Sequence, residues 1–246
     1  MDRMIYTAMT GAKHTMGQQA AVSNNIANVD STGFRSEIHR LRAVPVHSES
    51  LPSRAFTVDA SVASDFTTGP LEYTGRALDV AVENKGWLTV QGQNGEEAYT
   101  RNGNLAISAN GILQTRDGRS VIGNAGPIAV PPDSEVTIGR DGSISIVEGG
   151  NEEVVNVVDQ LRLVNPPEAD LERGEDGYFR LAEGADPAFV DENIKLANGY
   201  LEGSNVDVAG ELINMISLSR QFEMQTRMIE TAESNDQAAA QLLSSR

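Results

Sequence analysis

Residues 4 to 28 carry apolar side chains in a 4,3,4,3 rhythm at Ile5, Met9, Ala12 and Met16, continuing through Gln19, Ser23 and Ile26. Ala8, Ala20, Val22 and Ala27 widen the stripe. This spacing predicts an amphipathic helix with a coiled-coil-like seam. The rhythm returns after Asp207 at Leu212, Met215, Ser219, Phe222, Thr226 and Ile229, flanked by Val208, Ile213, Ile216, Leu218 and Met228. Ser204, Asn205 and Asp207 offer side-chain oxygens to the unpaired amides of that helix's first turn. Glu233 and Asp236 interrupt the second seam before Ala240 and Leu243 resume it.

Between the helices the period changes. Asn-Gly or Asp-Gly pairs stand at 94/95, 102/103, 110/111, 117/118, 141/142, 176/177 and 198/199, each suited to the positive backbone angles of tight turns. Short β-prone runs lie between them: 87–91, 98–101, 105–108, 112–115, 120–122, 128–130, 135–138, 143–147 and 178–182, with a longer run at 154–164. Their spacing predicts a mainly antiparallel β domain. Residues 43–76, rich in Ser, Thr, Pro and Ala, suggest an extended connector with one or two strands. The expected fold is therefore mixed α and β. Its segments are an N-terminal helix at 1–28, a connector at 29–77, a β-rich centre at 78–195, and a C-terminal helix with its lead-in at 196–246.

Composition narrows the chemistry. With 39% apolar and 5% aromatic residues among 246, a core must be built mostly from Val, Ile, Leu and Ala. The absence of cysteine removes disulfides, thiolate metal sites and a cysteine nucleophile together. A net charge of −16 argues against nucleic acid as a partner. The charge is uneven, since residues 1–54 hold six basic residues against four acids while the remainder is strongly acidic. No run approaches the roughly 20 apolar residues of a membrane span, so direct membrane insertion is not expected. Residues 7–15 are interrupted by Thr, Gly, Lys and His, which does not fit a cleaved secretory leader.

The first helix ends in Asn24-Asn25-Ile26-Ala27-Asn28-Val29-Asp30-Ser31-Thr32-Gly33-Phe34-Arg35. Asn28 suits a left-handed exit, Gly33 a sharp turn, and Phe34 a return onto the helix. This stretch resembles the N-terminal signature of bacterial flagellar rod and hook proteins, carried by Asn24, Asn25, Ala27, Asn28, Thr32, Gly33 and Phe34. A second stretch, Gly199-Tyr200-Leu201-Glu202-Gly203-Ser204-Asn205-Val206-Asp207, is similar to the start of the same family's C-terminal helix. Leu78-Asp79-Val80-Ala81-Val82, Gly86-Trp87-Leu88 and Tyr99-Thr100-Arg101-Asn102-Gly103 resemble the opening of its central domain. Met1 to Met9 and Leu41-Arg42-Ala43-Val44-Pro45-Val46 look most like the family's proximal-rod members.

The resemblance implies a structural subunit whose terminal helices form an inner tube. Ile5, Met9, Ala12, Met16 and Ile26 would contribute from one helix. Leu201, Glu202, Ser204, Asn205, Val206, Leu212, Met215, Phe222 and Ile229 would contribute from the other and its lead-in. Implied partners are further copies in a helical lattice, proximal-rod and distal-rod subunits, and the flagellar type III export apparatus. The implied location is the periplasmic rod of the basal body, reached without a cleaved signal peptide. A distal-rod-like or hook-like protein is the nearest alternative, and an extracytoplasmic carbohydrate-binding or hydrolytic β domain a remote one.

Catalytic, cofactor and metal roles find little support. His14, His39 and His47 lack metal-ligand spacing. The acids fall in turn-like text such as Glu152-Glu153 and Glu172 to Asp176, which reads as a solvated face. Trp87 is the lone tryptophan, too few aromatics for a sugar platform. The methionines of the terminal helices suit either core filling or adaptable packing against inequivalent neighbours.

Overall fold

Both terminal helices form, α1 over Met4–Ala27 and α2 over Val208–Ser244. The computed structural model describes residues 4–45, 55–131, 134–148 and 155–244; Val46, His47 and Glu152-Glu153 lie outside them. Helix α2 runs unbroken past Glu233 and Asp236. Of the three capping candidates Asp207 serves: its Oδ1 accepts the Ala209 amide at 3.2 Å, and its carbonyl accepts Glu211 N–H at 2.9 Å. Asn205 instead donates through Nδ2 to the Thr67 carbonyl at 3.0 Å.

The end of α1 corrects one expectation. Asn28 does not turn left-handed; among the described non-glycine residues only Asn84 has a positive φ. Asn28 Nδ2 donates back to the Asn24 carbonyl and to Asn24 Oδ1, both at 2.9 Å. With the helix end closed by a side chain, Gly33 takes the left-handed step at φ 69°.

The chain divides into two compact units, and the division does not follow the four expected segments. One unit comprises Met1–Val29, Ser36–Asp65 and Val206–Arg246; the other comprises Asp30–Arg35 and Phe66–Asn205. The connector is split between them. Its centre forms a hairpin of β1 (Glu37–Pro45) and β2 (Ala55–Ser64), with an irregularity in register between Arg40 and Leu41. Its last part, Leu71–Tyr73, pairs with Tyr200–Glu202. The C-terminal lead-in likewise belongs to the β unit, because Lys195–Asn198 pairs with Val80–Glu83.

In the helical unit α1 and α2 run antiparallel. Asn25 meets Glu211, and Gly11 meets Gln225 two heptads along both helices. The inward stripe of α1 is Ala8, Gly11, Thr15, Gln18, Val22 and Asn25, of which Ala8, Thr15, Val22 and Asn25 are buried. It lies one position from the predicted seam, so Met9 and Met16 are 53% and 59% exposed, while Ile5, Ala12 and Ile26 are half-buried. A Cβ at Gly11 would stand 2.9 Å from Gln225 Nε2, the far end of a flexible side chain. On α2, Met215, Phe222 and Ile229 are half-buried with Glu211, Leu218 and Gln225, and Ala232 is buried. Leu212 and Thr226, expected in the seam, are exposed.

The β unit is antiparallel throughout its described ladders. A five-stranded sheet is ordered Leu163–Val164, Trp87–Gln91, Glu97–Thr100, Phe179–Leu181, Leu171–Arg173. A three-stranded sheet comprises Ser134–Ile138, Ser143–Glu148 and Val155–Gln160. Runs 120–122 and 128–130 form isolated bridges only. The main core is aliphatic, centred on Val80, Leu88, Leu105, Leu113, Ile128, Ile144, Leu161 and Leu196. Tyr178 joins this core, while a second cluster beside it gathers Trp87, Tyr99 and Phe179, with the Trp87 and Phe179 rings 4.8 Å apart and Phe66 against both.

Six of the seven paired glycines adopt positive φ. Gly95, Gly111, Gly118, Gly142 and Gly177 each donate N–H to the carbonyl three residues earlier, placing glycine last in a type I turn. Gly103 departs from this pattern. It has no positive φ, but a Cβ there would fall on the Val80 carbonyl, so glycine is required by close backbone approach.

Candidate functional site

Within the β unit, three separated motifs converge. Thr32 Oγ1 donates to Asn102 Oδ1 at 2.8 Å, and the Gly33 amide donates to the Glu202 carbonyl at 2.7 Å. Gly33 sits so close to the Arg101–Asn102 peptide that any Cβ would collide with it. Phe34, expected to return onto the helix, is buried with the Arg173 guanidinium 4.4 Å from its ring centre. Arg173 Nη1 also donates to the Arg35 carbonyl at 3.2 Å.

At the centre lies a buried charge cluster. Arg35 Nη2 donates to Glu202 Oε1 at 2.6 Å, and Arg101 Nη1 donates to Glu202 Oε2 at 3.0 Å. The Gly69 amide adds a bond to Oε1 at 3.0 Å. Arg101 also binds the carbonyls of Val82 and Asn84, at 3.1 and 2.6 Å. Two guanidiniums share one carboxylate. Burial accordingly lowers the Arg101 pKa to about 10, with Glu202 opposing the shift and Arg35 adding to it.

The helical unit has its own polar junction. Asn25, 1% exposed, accepts the Glu37 amide at Oδ1 (2.7 Å). Its Nδ2 donates to the Glu37 carbonyl (3.0 Å) and to Glu211 Oε1 (2.8 Å). The Asp65 amide closes the base of the hairpin onto the Ser36 carbonyl at 2.8 Å. Beside it a groove of about 350 Å³ is lined by residues that include Ala21, Val22, His39, Asn214 and Leu218.

The motif residues thus have definite places. Leu201, Glu202 and Ser204 are buried; Asn205 and Val206 are half-buried, as are Asn24, Asn28, Thr32 and Gly33; Ala27 is exposed. Sequence reasoning missed Arg35 and Arg101 as partners of Glu202. The available signal was one arginine closing Thr-Gly-Phe-Arg, another in Tyr-Thr-Arg, and a lone acid in Leu-Glu-Gly-Ser-Asn. Trp87, at 4% exposure, is core and offers no sugar platform. Among the described residues no group of acidic or histidine side chains is arranged to hold a metal ion, and no helix is long and apolar enough to cross a membrane.

Comparison with known proteins covers the whole chain. Residues 5–35 match the family described as "Flagella basal body rod protein", residues 81–146 "Flagellar hook protein FlgE/F/G D1 domain", and residues 197–242 "Flagellar basal body rod FlgEFG protein C-terminal". The chain is 43% identical to the flagellar basal-body rod protein FlgF of Escherichia coli K12, covering 99% of each. It is 32% identical to FlgF of Caulobacter vibrioides, over 98% of both chains. To FlgG of Agrobacterium fabrum it is 31% identical, over 94% of this chain and 95% of that one.

Proposed function

The chain belongs to the flagellar basal-body rod family that includes FlgF and FlgG, and from that premise we propose how it works as a FlgF-like structural subunit of the rod. It is a part of the motility apparatus of the basal body and assembles with other rod proteins. In this reading it occupies the proximal rod, with FlgG as the distal neighbour and other proximal-rod proteins around it. It has no catalytic role. Terminal helices of successive copies form the inner tube in a helical lattice, a heterologous arrangement that leaves each new end open. Residues 29–77 join adjacent subunits, and the β-rich centre forms the outer surface. Passage to the periplasm runs through the flagellar type III export apparatus.

The observation that carries this reading is the set of large apolar side chains that each terminal helix leaves exposed. Met9, Met16, Leu212, Ile213, Ile216 and Met224 are 47–67% exposed. Large apolar side chains left exposed on both helices fit interaction surfaces on each. Met16→Asp and Ile216→Asp separate assembly from folding. In the free chain each changes stability by no more than about 0.5 kcal/mol, as surface substitutions do. In cells each abolishes incorporation into rods and swimming in soft agar. Normal motility of both variants would overturn the proposed interface.

A further inference from the structure

We infer that Asn25 is the positioning residue that selects the register of α1 against α2. A side-chain amide has the donor and acceptor geometry of a peptide group. Asn25 presents it to Glu37 as a neighbouring strand would, accepting the amide and donating to the carbonyl at 2.7 and 3.0 Å. The opposite flank of Glu37 pairs with Ser64 of β2. The second Nδ2 hydrogen goes to Glu211 Oε1 at 2.8 Å. One buried side chain therefore ties α1 to both the hairpin and α2, in a single orientation of its amide.

The rest of the α1 stripe cannot make this choice. Ala8, Gly11, Thr15, Gln18 and Val22 repeat at heptad spacing, and a slip of seven residues puts small or flexible side chains opposite α2 again. Asn25 discriminates most sharply, because its amide is buried and fully committed. One slip sets it level with Leu218, where its amide would be buried without its partners; the other carries it beyond the start of α2. Each also separates the Asn25 amide from Glu211. An unmatched buried polar group penalises wrong registers more than wrong apolar contacts do.

The test uses the full chain, whose lack of cysteine permits clean labelling. Spin labels are placed on Lys13→Cys and Glu233→Cys, both exposed and offset along the helix axes. Their distance is compared with and without Asn25→Leu, and separately Glu211→Ala. A heptad slip moves one label by about 10 Å along the axis. The unsubstituted pair should give one distance. Both variants should add a population displaced by that step, rising by about tenfold for each 1.4 kcal/mol of register preference removed. Retention of the single distance in both variants would overturn the inference. So would loss of helix with a featureless distribution, which would mean that Asn25 holds the pair together without choosing its register. The experiment concerns the free chain, so its failure would leave rod assembly untouched.

Discussion

Arg35 and Glu202 stand 167 residues apart in the chain and 2.6 Å apart in the fold, with their side chains 0% and 1% exposed. The first member ends the N-terminal motif and the second lies within the C-terminal one. The β unit therefore cannot complete its interior until both ends of the sequence are present.

Breaking that cluster is expected to be severe. Glu202→Gln leaves two buried guanidiniums without a counter-charge, and loss of one partner of a buried ion pair costs about 3–5 kcal/mol. Urea unfolding followed by fluorescence of Trp87, whose ring lies 5.5 Å from the Arg101 guanidinium carbon, measures it. An unchanged midpoint would show that the cluster contributes nothing.

Two glycine substitutions should differ sharply. At Gly118 nothing lies within 4 Å of a new Cβ, so Gly118→Ala meets only the positive φ of 83° and costs about 1–2 kcal/mol. At Gly103 the Cβ would meet the Val80 backbone, and Gly103→Ala should cost more than about 3 kcal/mol. Equal thermal shifts for the two would contradict the close approach.

Removing the cap of α2 should be milder. Asp207→Ala loses the oxygen that accepts the Ala209 amide, and cap deletions cost about 1 kcal/mol. Hydrogen exchange should accelerate at the first-turn amides of α2 and remain unchanged in the β unit.

Asp176 provides a pH dependence. Bonds from Arg180, chiefly Nη2 to Oδ2 at 2.7 Å, hold its carboxyl below the ordinary aspartate value of 3.8. The lowered folded-state pKa means that this interaction stabilises above about 3.8 and is lost as pH falls through the folded value. Carboxyl titration by NMR should place Asp176 below 3.8, and Asp176→Asn should reduce the acid-side loss of stability.

The helices, the antiparallel β centre and the turn positions were determined by the sequence alone. Their signals are local: heptad spacing, Asn-Gly or Asp-Gly pairs, and β-prone runs between them. The two terminal motifs were equally plain as residue strings. Which face of α1 turned inward was decided only by tertiary structure, because the polar partners of Asn25, the Glu37 backbone and Glu211, lie far along the chain. The role of Gly103 was hidden for the same reason, since its constraint is the carbonyl of Val80 in another strand. Arg35 and Arg101 stood in their motifs without an assigned role, and Glu202 was expected at an assembly interface. Their meaning depends on burial, and burial of a charge is a property of what surrounds it, which no local pattern specifies.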